Sequence, residues 1–257
     1  MRTRYDVYMD NLPLDAVDPA IYVTDVQETP VSYDATTLQR AKGDGLRVLR
    51  RLRDSKQVRV SFMVRETDVG RRRDIVQRVA AWAMSGKYLS LGDRPGQRLR
   101  VLCETLPSIT SALKWTQELT MVFTAYAMPY WEAETPIRAS FTGTSGTAAI
   151  RQAGTAPCFL EAEISNTSGS TLTSLSLTAD GQTMAFTGMA LGAGKTLKIF
   201  YDDNWLLRAE VDGASVLNRR TADSADDLML PPCKATTVAI AADKAVSVTL
   251  KARGLWL

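Results

Sequence analysis

Few residues in this chain are of a type and spacing that could do chemistry. Gly192-Ala193-Gly194-Lys195-Thr196 looks like the end of a phosphate-binding loop. Such a loop needs a glycine, four residues, and then Gly-Lys-Ser/Thr, so that backbone amides wrap the phosphate. The first glycine would stand at 189, where the sequence has Met189, and Gly188 comes one residue too early. Leu197 to Tyr201 then alternates like a strand, whereas a phosphate loop opens a helix. A glycine-rich turn between strands is the expected structure. Asp202-Asp203 and Asp226-Asp227 are carboxylate pairs, but neighbours on a strand point to opposite faces, and a glycosidase draws its two carboxylates from separate elements across a cleft. Cys103, Cys158 and Cys233 show no metal or redox spacing and read as small buried thiols.

Histidine is absent. Ser-His-Asp and Cys-His nucleophile pairs and histidine-ligated metal sites are therefore excluded. No cofactor or metal is expected, and the reading favours a binding or structural protein over an enzyme. The 257 residues carry 31 Lys and Arg against 28 Asp and Glu, a net charge of +3. That is too weak for a nucleic-acid-binding face. No export signal opens the sequence and no run is apolar enough to span a membrane, so a soluble chain made in the cytoplasm is expected.

Two arginine groups remain. Arg71, Arg72 and Arg73, with Arg78, lack interleaved aromatics and neighbour Glu66, Asp68 and Asp74. Arg47, Arg50, Arg51 and Arg53 crowd a second stretch. A solvated surface is the plain reading of both. The functional alternative is a subunit interface, where arginine is enriched. Trp115, Tyr126, Tyr130, Trp131, Trp205 and Trp256 could stack on sugars, although aromatics at strand spacing more often anchor cores or interfaces.

The elements that must position these residues are mostly strands. Val58, Val60, Phe62 and Val64 alternate with polar neighbours, as do Leu119, Met121, Phe123 and Ala125. One helix is predicted from Asp68, as N-cap, to Gly86, as a left-handed stop, with Ile75, Val76, Val79, Ala80, Trp82 and Ala83 on one face. Tyr88–Leu91 and Leu99–Cys103 form a predicted hairpin around Gly92-Asp93-Arg94-Pro95-Gly96. Residues 31–57 read as an exposed loop with one possible helical turn. Residues 142–157 are small and polar and read as a connection. From 158 onward, short strands between turns every 8–12 residues predict a β-sandwich.

The order of these elements resembles the distal tail (Dit) proteins of long-tailed phages. The resemblance rests on Val58–Phe62 leading into the 68–84 helix, on Lys87 to Pro95, and on Glu118–Ala125 running into Pro129-Tyr130-Trp131. It continues through Gly154-Thr155-Ala156-Pro157, Ile164 to Gly169, Leu191 to Leu197 and Val246 to Gly254. It implies a mainly β fold with one α-helix: an N-terminal ring domain with helix and hairpin (1–141), a linker (142–157) and a galectin-like C-terminal β-sandwich (158–257). It also implies a structural protein of the virion tail tip. That protein would form a homohexameric ring joining the tail tube protein to the hub protein, near the tape-measure protein. DNA would pass through its channel only as cargo, and receptor-binding protein could sit on its outer domains. The alternative reading is a carbohydrate-binding module.

Overall fold

The computed structural model describes residues 3–31, 33–39, 46–107 and 118–257. The chain divides into two compact units, Met1–Trp131 with Leu257, and Glu132–Trp256.

In the first unit, strands β1 (Val7–Met9) and β2 (Leu12–Pro13) form a tight hairpin. Asp10 and Asn11 turn it with φ of 47° and 69°, a left-handed geometry these side chains tolerate. Then come β3 (Ile21–Glu28), β4 (Tyr33–Gln39), β5 (Leu46–Arg53) and β6 (Lys56–Val64). Helix α1 (Val69–Ser85) precedes β7 (Tyr88–Leu91), β8 (Gln97–Arg100), β9 (Leu102–Thr105) and β10 (Glu118–Ala125). One antiparallel sheet has the order β3-β6-β10-β9, and β1, β7 and β8 pair in another.

The alternating residues read from the sequence are the core of the first sheet. Val58, Val60, Phe62, Met121, Phe123 and Ala125 are fully buried. Each such large side chain contributes roughly 1.5–3 kcal/mol by leaving water. Helix α1 lies on this face and buries Ile75, Val76, Val79, Trp82 and Ala83. Trp82 meets Phe123 edge-on at 6.4 Å, and its indole N–H donates to the Leu12 carbonyl at 2.9 Å. Asp68 caps the helix as expected, accepting from the Arg71 amide at 2.7 Å.

Gly86 does end the helix, but its backbone is extended (φ −109°), not left-handed. Its missing side chain matters for space instead: a Cβ there would stand 2.2 Å from Met9 Cγ. The stretch expected as a loop at 31–57 holds the β4–β5 hairpin, with Ala35 opposite Arg51. The Leu46, Leu49 and Leu52 spacing of three hid the strand, and residues 42–45 lie outside the described residues. The 88–103 hairpin forms through Leu89 opposite Leu99, but Leu102 and Cys103 leave it and pair with β10 in the other sheet.

A short strand β11 (Trp131–Ala133) leads to the second unit. Its strands are β12 (Ile137–Arg151), β13 (Cys158–Asn166), β14 (Leu172–Ala179), β15 (Gln182–Leu191), β16 (Thr196–Tyr201), β17 (Leu207–Val211), β18 (Ala214–Ser215), β19 (Met229–Leu230), β20 (Ala235–Ala252) and β21 (Leu255–Trp256). Residues 142–151 therefore belong to a strand, not to a connection. Small Thr, Ser, Gly and Ala side chains mimic linker composition, yet they fit a strand whose partner supplies the apolar anchors.

The long strand β20 serves two layers. Its first part pairs with β14 and its last part with β13, while β12 follows it along both. The sheet curls on itself in this way, as strands that switch layers do. Leu160, Ile164, Leu197, Val248 and Leu250 from one layer, and Leu175, Leu177, Met184, Phe186 and Ile240 from the other, are buried to 2% exposure or less. Asp180-Gly181 and Asp212-Gly213 make the predicted tight hairpins, all four with positive φ.

Candidate functional site

The residues singled out by chemistry are occupied with structure. Gly192–Lys195 is the turn between β15 and β16, with Gly194 at φ 72° and Lys195 paired to Asp212 at 2.9 Å. The Asp202 carboxylate accepts from the amides of Asn204 and Leu206 and pairs with Arg208 at 2.7 Å. Those contacts hold its pKa below the usual carboxylate range, the Leu206 amide first. Asp226 pairs with Arg220 at 3.1 Å. Among the described residues no cluster of Cys, Asp and Glu could hold a metal ion, and no helix is long and apolar enough to cross a membrane. Only Cys158 is the buried thiol expected, and burial pushes it up to about 12. Cys103 is half-buried and Cys233 is exposed. Trp115 lies outside the described residues.

The arginine groups sit on two elements. Arg47, Arg50 and Arg51 are on β5, opposite Leu38, Thr36 and Ala35, and their side chains are outside the described residues. Arg71 and Arg73 are exposed on the first turns of α1. Arg71 pairs with Glu66 at 3.1 Å. Arg72 was expected on the solvated face, but it is buried. Its guanidinium donates to the carbonyls of Glu66 at 3.0 Å and Thr67 at 3.3 Å, bracing the loop that enters the helix. It presents no surface charge to a neighbour.

No spacing in the sequence points to Glu28 at the end of β3, a carboxylate with four partners. Arg94 grips it with two N–H groups at 3.0 and 3.1 Å, Lys56 pairs at 3.2 Å, and Arg4 lies at 3.4 Å. The Trp131 indole N–H donates to it at 3.0 Å. Burial alone would raise the pKa of Glu28; the Trp131 N–H, Arg94 and Lys56 outweigh that and hold it below the usual carboxylate range. Arg94 and Lys56 also stand over the Trp131 ring, at 5.0 and 5.8 Å. The aromatic exit Pro129-Tyr130-Trp131 is thus locked to β3, β6 and the turn after β7. No spacing rule connects residues 4, 28, 56, 94 and 131, which meet only in three dimensions.

What remains open is backbone. Among the described residues, β3 and β9 are the two ends of the four-stranded sheet. Leu102 is 66% and Tyr126 56% exposed beside the β9 edge, and Tyr22 on β3 is 44% exposed. These are edges without chemistry, of the kind that join chains.

No family model matches this sequence. No curated protein matches it either. The SPP1 Dit protein, described in its crystal structure as a paradigm of hub adsorption apparatus in phages infecting Gram-positive hosts, matches at TM-score 0.73 and 12% identity, over 99% of this chain and 100% of that one. A chain of the phage p2 baseplate in its activated conformation with Sr matches at TM-score 0.48 and 8% identity, over 90% of each. One from the same baseplate with Ca matches at 0.47 and 6%, over 91% and 90%. The two baseplate matches are too loose to bear on function. Over nearly its whole length, and with little of the sequence shared, this chain has the fold of the SPP1 distal tail protein.

Proposed function

We propose that the chain is a structural distal tail protein of a phage virion. Copies of its first unit would join into a hexameric ring between the tail tube and the hub of the tail tip. The observation that carries this reading is the end-to-end likeness to the SPP1 Dit protein, both units included. Of the residues singled out as possible catalysts or ligands, Lys195, Asp202 and Asp226 are engaged in turns and ion pairs.

The sheet edges supply a means of closure. In the order β3-β6-β10-β9 each neighbour is antiparallel to the next, so β3 and β9 run in opposite directions. Strand β9 of one copy set beside β3 of the next continues the alternation. Such a head-to-tail contact repeats by rotation and closes into a ring. The central hole would pass DNA, and the second units would face outward, where receptor-binding protein can be carried. Light scattering on the purified full chain, alone and with tail tube protein, tests this. A particle of about six times the 28.2 kDa chain mass supports it. A monomer under both conditions overturns it.

A further inference from the structure

The outer edges of the second unit are not alike. The β15 edge is covered: the Thr221 amide donates to the Ala185 carbonyl at 2.9 Å, the Ala225 amide to Thr183 at 2.8 Å, and Arg220 bridges Phe186. The β18 edge is two residues long. Strand β12 has fifteen residues and pairs with β20 along one side only. Among the described residues no backbone bond reaches its other side. Natural sheets blunt such edges with charged side chains, above all lysine, with proline, with bulges or with a covering segment, and β12 carries only Arg138, Arg151 and one bulge. Residues 137–151 contain neither lysine nor proline. The bulge between Gly143 and Ser145 divides the strand and leaves Ile137–Gly143 as one regular stretch.

Two features of that stretch describe what would sit beside it. On the core side, Ile137, Ala139 and Phe141 stand directly opposite Ala252, Leu250 and Val248. The β20 residues are buried to 1% or less, whereas the three on β12 remain partly exposed, so the core ends at an unfinished rim. A further strand with apolar residues at alternate positions would cover it. On the outer side, Arg138 is exposed and directly opposite Lys251. Like charges across a strand pair are unfavourable. On its other side Lys251 stands opposite Glu161 and pairs with Glu163 at 2.7 Å, which leaves Arg138 as the charge facing the open edge. A carboxylate on the open side of Arg138 would relieve the pair. No Asp or Glu occurs in 137–151, so a second β12 cannot provide one.

We infer that the open edge of Ile137–Gly143 takes an added β-strand from a different protein: an extended segment, apolar at alternate positions, with an Asp or Glu set opposite Arg138. Main-chain hydrogen bonds would supply the affinity, and the apolar rim and Arg138 the selectivity. This inference concerns the second unit and does not depend on ring formation by the first.

The test uses the full chain and blocked nine-residue peptides that alternate Val with Thr, one Thr replaced by Glu. A twin carries Lys in place of Glu, and a third peptide is N-methylated at alternate residues. The Glu peptide should bind, slow amide exchange within 137–143, and bind the Arg138→Glu variant about fivefold more weakly, as expected for a cross-strand charge pair. The Lys peptide should show the opposite preference. The N-methylated peptide should not bind. Equal binding of the Glu and Lys peptides, or undiminished binding of the N-methylated one, overturns the inference. So does protection of 137–143 that rises with protein concentration alone, because the occupant would then be a second copy.

Discussion

Glu28 draws Arg4, Lys56, Arg94 and the Trp131 indole to one point, and its removal tests how much that point holds. Its side chain is 12% exposed and that of Lys56 is 5% exposed. Glu28→Gln leaves Lys56 buried without its counter-charge, which should cost about 2–3 kcal/mol in urea unfolding of the full chain at pH 7. The folded-state pKa of Glu28 lies below its ordinary 4.5. Its stabilisation is therefore fully present above that ordinary value and is lost as pH falls through the folded one. The gap between wild type and variant should close in that acid window; a gap unchanged at low pH contradicts the assignment. The thiols give a second reading at this scale. Cys233 should react with a thiol reagent in the native protein, Cys103 more slowly, and Cys158 only on unfolding, because burial opposes its thiolate. At this scale the Gly192–Lys195 turn was legible in the sequence from its broken phosphate-loop spacing. The Glu28 cluster was not legible, since its members come from five distant segments. Arg72 misled because helical spacing gives a direction but not the carbonyls waiting there.

Elements were read best where one face is buried and the other wet. The apolar residues of the alternation at 58–64 and 118–125, and those of α1 apart from Ala80, are buried in the structure, and Ser61, Thr124 and Arg72 are buried with them. Reading failed where the burial signal was weak. Strand β12 looked like a linker because its partner β20 carries the anchors, and β5 looked irregular because arginines interrupt it. Close backbone approach was also invisible. A Cβ at Gly154 would stand 2.3 Å from both the amide nitrogen and the carbonyl oxygen of Leu255. Backbone cannot step aside as a flexible side chain can, so Gly154→Ala should destabilise the second unit by about 1–3 kcal/mol, seen as a lower thermal midpoint. A neutral result would show that the 154–255 contact is looser than it stands. At the β9 edge, Leu102→Glu changes a side chain that is 66% exposed. It should leave thermal stability within about 0.5 kcal/mol and prevent assembly. Assembly at wild-type strength would remove β9 from the interface.

At the scale of the whole molecule, the order of elements carried more information than any motif. One helix between two sheet strands, a hairpin, a long strand with an aromatic exit, and a curled second unit together match one known fold from end to end at 12% identity. So low an identity is intelligible if the constraints are burial pattern, turn geometry and open edges, each of which many sequences satisfy. Net charge of +3 fits a molecule that need not grip nucleic acid. The central claim is that this fold is used to build a closed ring, and electron microscopy of the purified full chain, alone and with tail tube protein, tests it most directly. Class averages should show a ring of six copies around an open hole, with first units inward and second units outward. Isolated particles in both preparations, or open filaments in place of rings, would contradict it.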